Sequence, residues 1–192
     1  MHAMREPEPG LLVCSLLSAR MDQAAPAFVA ALAERFGPLA HQSGDLPFEC
    51  TTYYDDELGT PIVRRLLAFE NMVPLDCLPE AKHFCVGLER AHLEEGRRVL
   101  NLDPGLITPE RFLLATSKNF THRVYLGQGV WADLTMIWTG GDWLVLPWTY
   151  RDYAAPGTRL ELTALRTICL DKLRNFRQPM GMHDNKEGQS CC

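Results

Sequence analysis

The sequence has no apolar run approaching the roughly 20 residues that a bilayer crossing requires, so no membrane span is expected. It has no surplus of basic residues. Its 19 Lys and Arg against 24 Asp and Glu leave a net charge of -5, with a pI near 5.7, which argues against a nucleic-acid partner held through its phosphates. There is no G-x-S-x-G elbow, no H-E-x-x-H pair and no zinc-finger spacing, so serine hydrolases, zincins and zinc ribbons drop out. The seven cysteines include no C-x-x-C pair. Cys14, Cys50, Cys77, Cys85 and Cys169 are scattered, mostly among apolar neighbours, as free thiols are. Met1 to Gly10 lacks the apolar core of a secretory signal, and a cytoplasmic protein is expected.

What is present is an ordinary globular composition: 192 residues, 46% hydrophobic and 22% charged. One domain over 11–177 is expected, after a flexible N-terminus (1–10) and before a polar, disordered tail (178–192) that carries His183, Cys191 and Cys192. Leu11 to Leu17 is continuously apolar and reads as a central strand covered by helices. Asp22 is placed to cap a helix over Gln23 to Phe36, which Gly37-Pro38 ends. Phe48 to Tyr54 reads as extended, and Ile62 to Val73 as a strand that carries Arg64 and Arg65. A helix capped near Asp76 takes Leu78 to Leu93. Phe112 to Thr116, Thr121 to Leu126, Val130 to Trp138 and Trp143 to Trp148 read as strands of an antiparallel meander, with Gly127-Gln128-Gly129 and Gly140-Gly141-Asp142 as hairpin connections. A last helix, Thr158 to Phe176, presents one apolar face. These elements predict an α+β sandwich: a mixed, largely antiparallel sheet covered by about three helices, ferredoxin-like in its first half.

Strand alternation gathers the candidate site. It sets Val130, Ala132, Leu134 and Met136 on one face and Trp131, Asp133, Thr135 and Ile137 on the other, with Arg123 and Tyr125 of the neighbouring strand beside Asp133 and Thr135. Lys118 and His122 lie at the rim. Arg123 and Lys118 suit a phosphate or carboxylate, and His122, titrating near neutrality, suits proton transfer. Asn101-Leu102-Asp103-Pro104-Gly105 reads as a strand end and tight turn that holds Asp103, and Thr108-Pro109-Glu110 as a short helical turn. The acidic loop Thr51 to Gly59, with Tyr54 and Glu57, has the oxygen donors of a Mg2+ site. Of Trp148-Thr149-Tyr150-Arg151-Asp152-Tyr153, Tyr150 and Asp152 are the expected pocket members and Trp148 a core residue.

At these residues the chain resembles a bacterial family of unknown function, the DUF4416 type. The likeness rests on Thr51-Thr52-Tyr53-Tyr54-Asp55-Asp56-Glu57-Leu58-Gly59, Asn101-Leu102-Asp103-Pro104-Gly105, Thr116-Ser117-Lys118, His122-Arg123-Val124-Tyr125-Leu126 and Trp148 to Tyr153, and it spans about Leu11 to Phe176. Arg151 stands where that family usually has proline. Some members carry the label GTP-binding protein, but no G-x-x-x-x-G-K-[ST] loop exists here, and Asn185-Lys186-Glu187-Gly188 lacks the aspartate of a guanine-reading motif. A P-loop GTPase is excluded; nucleotide binding by another architecture stays open.

Three functions fit these residues. One is an enzyme acting on a phosphorylated or nucleotide-like small molecule, with Lys118 and Arg123 on the anion, His122 moving protons, and Mg2+ held by Glu57, Asp103 or Asp133. Another is a non-catalytic module for a small anion or a protein partner. The third is a plain scaffold. Convergence of these side chains on one hollow separates the first from the others.

Overall fold

Every residue of Gly10–Ser18 is buried, which requires a strand covered on both faces. The computed structural model describes residues 3–177 and sets this strand, β1, inside the main sheet. The expected tail lies outside the described residues. After β1 come α1 (Met21–Phe36), β2 (Leu39–Gln42), β3 (Leu46–Pro47), α2 (Asp55–Leu58), β4 (Val63–Val73) and α3 (Leu78–Ala91). The small hairpin β5 (Leu93–Glu94) and β6 (Arg97–Arg98) leads to β7 (Asn101–Ile107), β8 (Arg111–Thr116), β9 (Arg123–Gly127), β10 (Val130–Thr139) and β11 (Asp142–Val145). The short α4 (Arg151–Ala154) and the long α5 (Pro156–Arg177) follow.

The sheet order is β11-β10-β8-β7-β1-β4-β2, with β3 also on β4 and β9 also on β10, and each of these pairs is antiparallel. The succession β1-α1-β2-β4-α3-β7 takes the spatial order β7-β1-β4-β2. That is the interleaved β-α-β arrangement of a ferredoxin-like unit, as the first half predicts. The meander from β8 onward widens it, so the α+β expectation holds. Alternation along β1 divides the core: Leu12, Cys14 and Leu16 pack under α1 and α3 with Phe28, Leu32, Ala81 and Cys85. Leu11 and Val13 pack under α5 with Leu162, Leu165, Cys169 and Leu173. The β10–β11 hairpin turns on Gly140 and Gly141 at φ 60° and 86°, the left-handed pair that a two-residue connection needs.

Several local expectations change. Asp22 is not the cap of α1: Arg20 occupies that position without a side-chain cap, and Asp22 accepts from Arg65 at 2.5 Å. Cys77, not Asp76, precedes α3. Residues 48–54 form no strand. Pro104 and Gly105 are interior to β7 rather than a turn, and residues 108–110 are the β7–β8 hairpin connection, closed by Thr108 N–H donating to the Arg111 carbonyl at 3.0 Å. In β10 the β8 register slips between Leu134 and Met136. This bulge puts Met136 in the α5-side core, on the side opposite Val130, and breaks the simple alternation.

Candidate functional site

The β7–β8 ladder begins at Ile107↔Phe112 and stops at Gly105↔Leu114. Pro104, which has no N–H to donate, is the next residue of β7, and beyond it the two strands diverge. Leu113 carbonyl would lie only 2.6 Å from a Cβ at Gly105, so the strands are closest just before they separate. On the α5 side of the sheet the register aligns Arg64, Leu17 and Asn101 in one transverse row, with Ser15 and Asp103 in the next. α5 covers the other end of that face. Over the uncovered end fold residues 48–54 from one side and 147–153 from the other, and a cavity of about 740 Å³ remains between them.

Residues 147–150 are held there by the bulge. It leaves two carbonyls of β10 available: Leu134 O accepts from Trp148 Nε1 at 2.8 Å and Thr135 O from Thr149 Oγ1 at 2.6 Å. Asp133, only 1% exposed, anchors the same region. Its Oδ2 accepts from Arg123 Nε at 2.9 Å and lies 3.1 Å from His122 Nε2, while Oδ1 accepts from Thr135 Oγ1 at 3.3 Å. Arg123 also donates to the Lys118 carbonyl at 2.8 Å and to Tyr150 Oη at 2.7 Å. His122 stacks on Trp148 with centroids 4.8 Å apart and planes 11° from parallel.

A second network enters from beneath. Lys82 of α3 reaches the Leu102 carbonyl at 3.1 Å and Asp103 Oδ1 at 2.9 Å. Asn101 Nδ2 donates to Asp103 Oδ2 at 2.7 Å and takes Arg98 Nη1 on its own oxygen at 2.6 Å. Burial alone would raise the Asp103 carboxyl. The charge and hydrogen bond of Lys82, the Asn101 amide and the charge of Arg64 reverse this and hold it below the ordinary carboxylate value. Burial works against the Lys82 charge too, but Asp103 outweighs it and raises the ammonium above its usual value. Burial and the Asp103 charge raise the Tyr54 phenol, which stays a neutral donor on the cavity wall. Tyr150 is raised as well, chiefly by burial.

The structure therefore brings Asp103, Asp133, Lys118, Tyr54, Tyr150 and Asp152 to one hollow. Others serve it from behind or not at all. Arg123 has Nε, Nη1 and Nη2 all engaged within the protein, so it positions Lys118, Asp133 and Tyr150 rather than offering a free fork. His122 lies behind Trp148, outside the cavity lining, with Nε2 committed to Asp133. Thr135 is buried in the bulge. Tyr125 is exposed outside the cavity, its hydroxyl accepting from Gly129 N–H at 3.2 Å. Glu57 does not fit its assignment to Mg2+: Arg98 donates to both of its oxygens at 2.6 Å and lowers its pKa. Among the described residues no three His, Cys, Asp or Glu side chains gather as a metal site. Trp148, expected in the core, borders the cavity and is 37% exposed.

Sequence reasoning missed Arg64, Lys82, Arg98 and Arg151, which line the hollow with Lys118. Two carried a signal. Arg64 shares the strand parity of the buried apolar residues Leu66 and Ala68, and Lys82 stands four residues after Leu78, on the buried stripe of its helix. With Asp103, Asp133 and Asp152 the lining holds five cationic and three acidic side chains, in a chain whose net charge is -5.

The model of the family described as Domain of unknown function (DUF4416) matches residues 8–168, and the chain belongs to that family. No curated protein and no solved structure matches it. No helix among the described residues is long and apolar enough to cross a membrane.

Proposed function

We propose that this DUF4416 member binds a small phosphorylated or nucleotide-like molecule in the cavity beneath α4. The observation that carries this reading is the positive excess of the lining in an acidic chain. A basic hollow concentrates anions, because its low-dielectric walls focus the field. Tyr53, Tyr54, Trp148 and Tyr150 border the same space and offer flat apolar surfaces for a base or sugar. The volume, about 740 Å³, lies within the range of small-molecule sites. The reading takes a small anion, not nucleic acid or membrane, as partner, and a cytoplasmic setting suits the buried free thiols Cys14, Cys85 and Cys169.

Catalysis is the next step of the same proposal. Asp103 is the carboxylate with room to accept a hydrogen bond from a ligand hydroxyl: its oxygens hold one strong partner each and its side chain keeps 30% exposure. Asp133, with His122, Arg123 and Thr135 around it, has no such room, and both it and His122 act as supports. That enclosure of His122 favours the non-catalytic module as the second reading. A thermal-shift screen with inorganic phosphate, sugar phosphates, nucleoside monophosphates and Mg2+ tests the first: a phosphorylated compound should raise the midpoint. Lys118→Ala should diminish that rise. Absence of any shift in the wild-type protein would remove the reading. Turnover of the binding compound, lost in Asp103→Asn, separates enzyme from module.

A further inference from the structure

Arg64 is 4% exposed, yet it borders the cavity. Its Nη2 donates to Asp152 Oδ2 of α4, and its guanidinium carbon lies 3.9 Å from the Tyr153 ring centroid and 5.4 Å from that of Phe48. Among the described residues Nε and Nη1 meet no acceptor, and both are screened from solvent. A guanidinium carries five N–H donors in a rigid fork, and buried donors left without partners are costly. A scaffold does not need this charge here. The in-register neighbours on either side, Leu17 and Leu46, are apolar, and a well-packed aliphatic residue is generally no less stabilising than a buried ion pair. The unused donors instead suit an acceptor supplied from outside.

We infer that Arg64 is the anion anchor of the cavity, taking a phosphate or carboxylate oxygen of the ligand on a nitrogen that its ion pair with Asp152 leaves unused. The inference rests on the reading of this cavity as a small-anion site and names the residue at its inner end. Asp152 orients the fork through one nitrogen and partly neutralises it, which keeps the anchor tolerable when the cavity is empty. Phe48 and the irregular residues 49–54 form the adjoining wall. They are the part that must yield for an oxyanion to reach Nε or Nη1. Once there, it gains a charge-assisted hydrogen bond shielded from water. Lys118, whose ammonium meets, among the described residues, only Tyr53 Oη at 3.2 Å, guides the anion inward from the mouth.

The test is titration calorimetry of the full chain with inorganic phosphate as probe and acetate in parallel, the two arms separating tetrahedral from planar anions. Arg64→Lys keeps the charge and loses the fork; it should weaken the preferred anion about tenfold or more. Asp152→Asn removes the competing carboxylate and should tighten binding about threefold. Were Arg64 merely structural, Arg64→Lys would lower the unfolding midpoint without moving the anion affinity of the folded protein. Equal affinity in wild type and a folded Arg64→Lys overturns the inference while leaving the cavity reading intact. If Arg64→Lys does not fold, Asp152→Asn decides: unchanged or weaker binding overturns it. A wild-type protein that takes up neither phosphate nor acetate overturns both.

Discussion

Replacing Lys82 by Met should destabilise the protein by about 2 kcal/mol at neutral pH, and the loss should shrink in acid. The ammonium is held by Asp103 Oδ1 at 2.9 Å and the Leu102 carbonyl at 3.1 Å, and only 11% of its side chain is exposed. Removing one member of a fully enclosed pair costs about 3–5 kcal/mol. Asp103 retains contact with the cavity and the Asn101 amide, and Met replaces the aliphatic stem, so the lower figure of about 2 kcal/mol applies. In a domain of this size that is roughly 4–8 °C in the melting temperature. The pH dependence follows from the two carboxyl states. In the wild type the depressed Asp103 carboxyl contributes stability that is present above its unfolded value, about 3.9, and is lost as pH falls through the lower folded value. Lys82, raised in the folded state, contributes fully below its unfolded value, about 10.4, and loses that contribution only as pH rises through the higher folded one. In Lys82→Met burial, the largest influence on Asp103, is opposed only by the Asn101 amide and the Arg64 charge. The carboxyl then rises above its unfolded value, and the variant recovers stability as it takes up a proton below neutrality. Urea unfolding at pH 7.5 and pH 5, on both single variants and on Lys82→Met/Asp103→Asn, measures the gap and the coupling. A gap that does not narrow at pH 5, or a coupling below about 0.5 kcal/mol, would refute the account.

Two further outcomes follow from other contacts. Asp133→Asn should cost about 2–4 kcal/mol in urea, because it strips charge from a buried acceptor shared by Arg123, His122 and Thr135; a loss under about 1 kcal/mol would mean these groups hold each other without it. Gly105→Ala should cost about 1–3 kcal/mol, since the added carbon meets Leu113 O at 2.6 Å and Phe112 at 2.8 Å, and an unchanged urea midpoint would show that β7 and β8 part without strain.

Much of the frame was legible because it follows from periodicity. The unbroken apolar stretch in β1, the heptad-like spacing of α5 and the glycine pairs of the hairpins each specify one local outcome. Sequence placed Arg123 beside Asp133, and the β9–β10 register pairs those residues directly. It did not reveal the bulge at Thr135, because a slipped register leaves no mark on composition. It also gave the anion to Arg123 instead of Arg64. Both are arginines in strands; what distinguishes them is that Arg123 has all three nitrogens occupied and Arg64 one, a matter of distant partners such as Asp152. Lys82 and Asp103 were unpaired on paper for the same reason: twenty-one residues separate them in the chain.

The separation of β7 from β8 has a consequence for how this chain can be divided. Arg64, Lys82, Asn101 and Asp103 come before the connection at residues 108–110, and Thr116, Lys118, Asp133 and Tyr150 come after it. The hollow is thus a seam between a ferredoxin-like front and a meandering back. Each half brings charges whose partners or covering surface the other supplies, so a cut at Pro109 would leave two fragments with an open, half-built basin apiece.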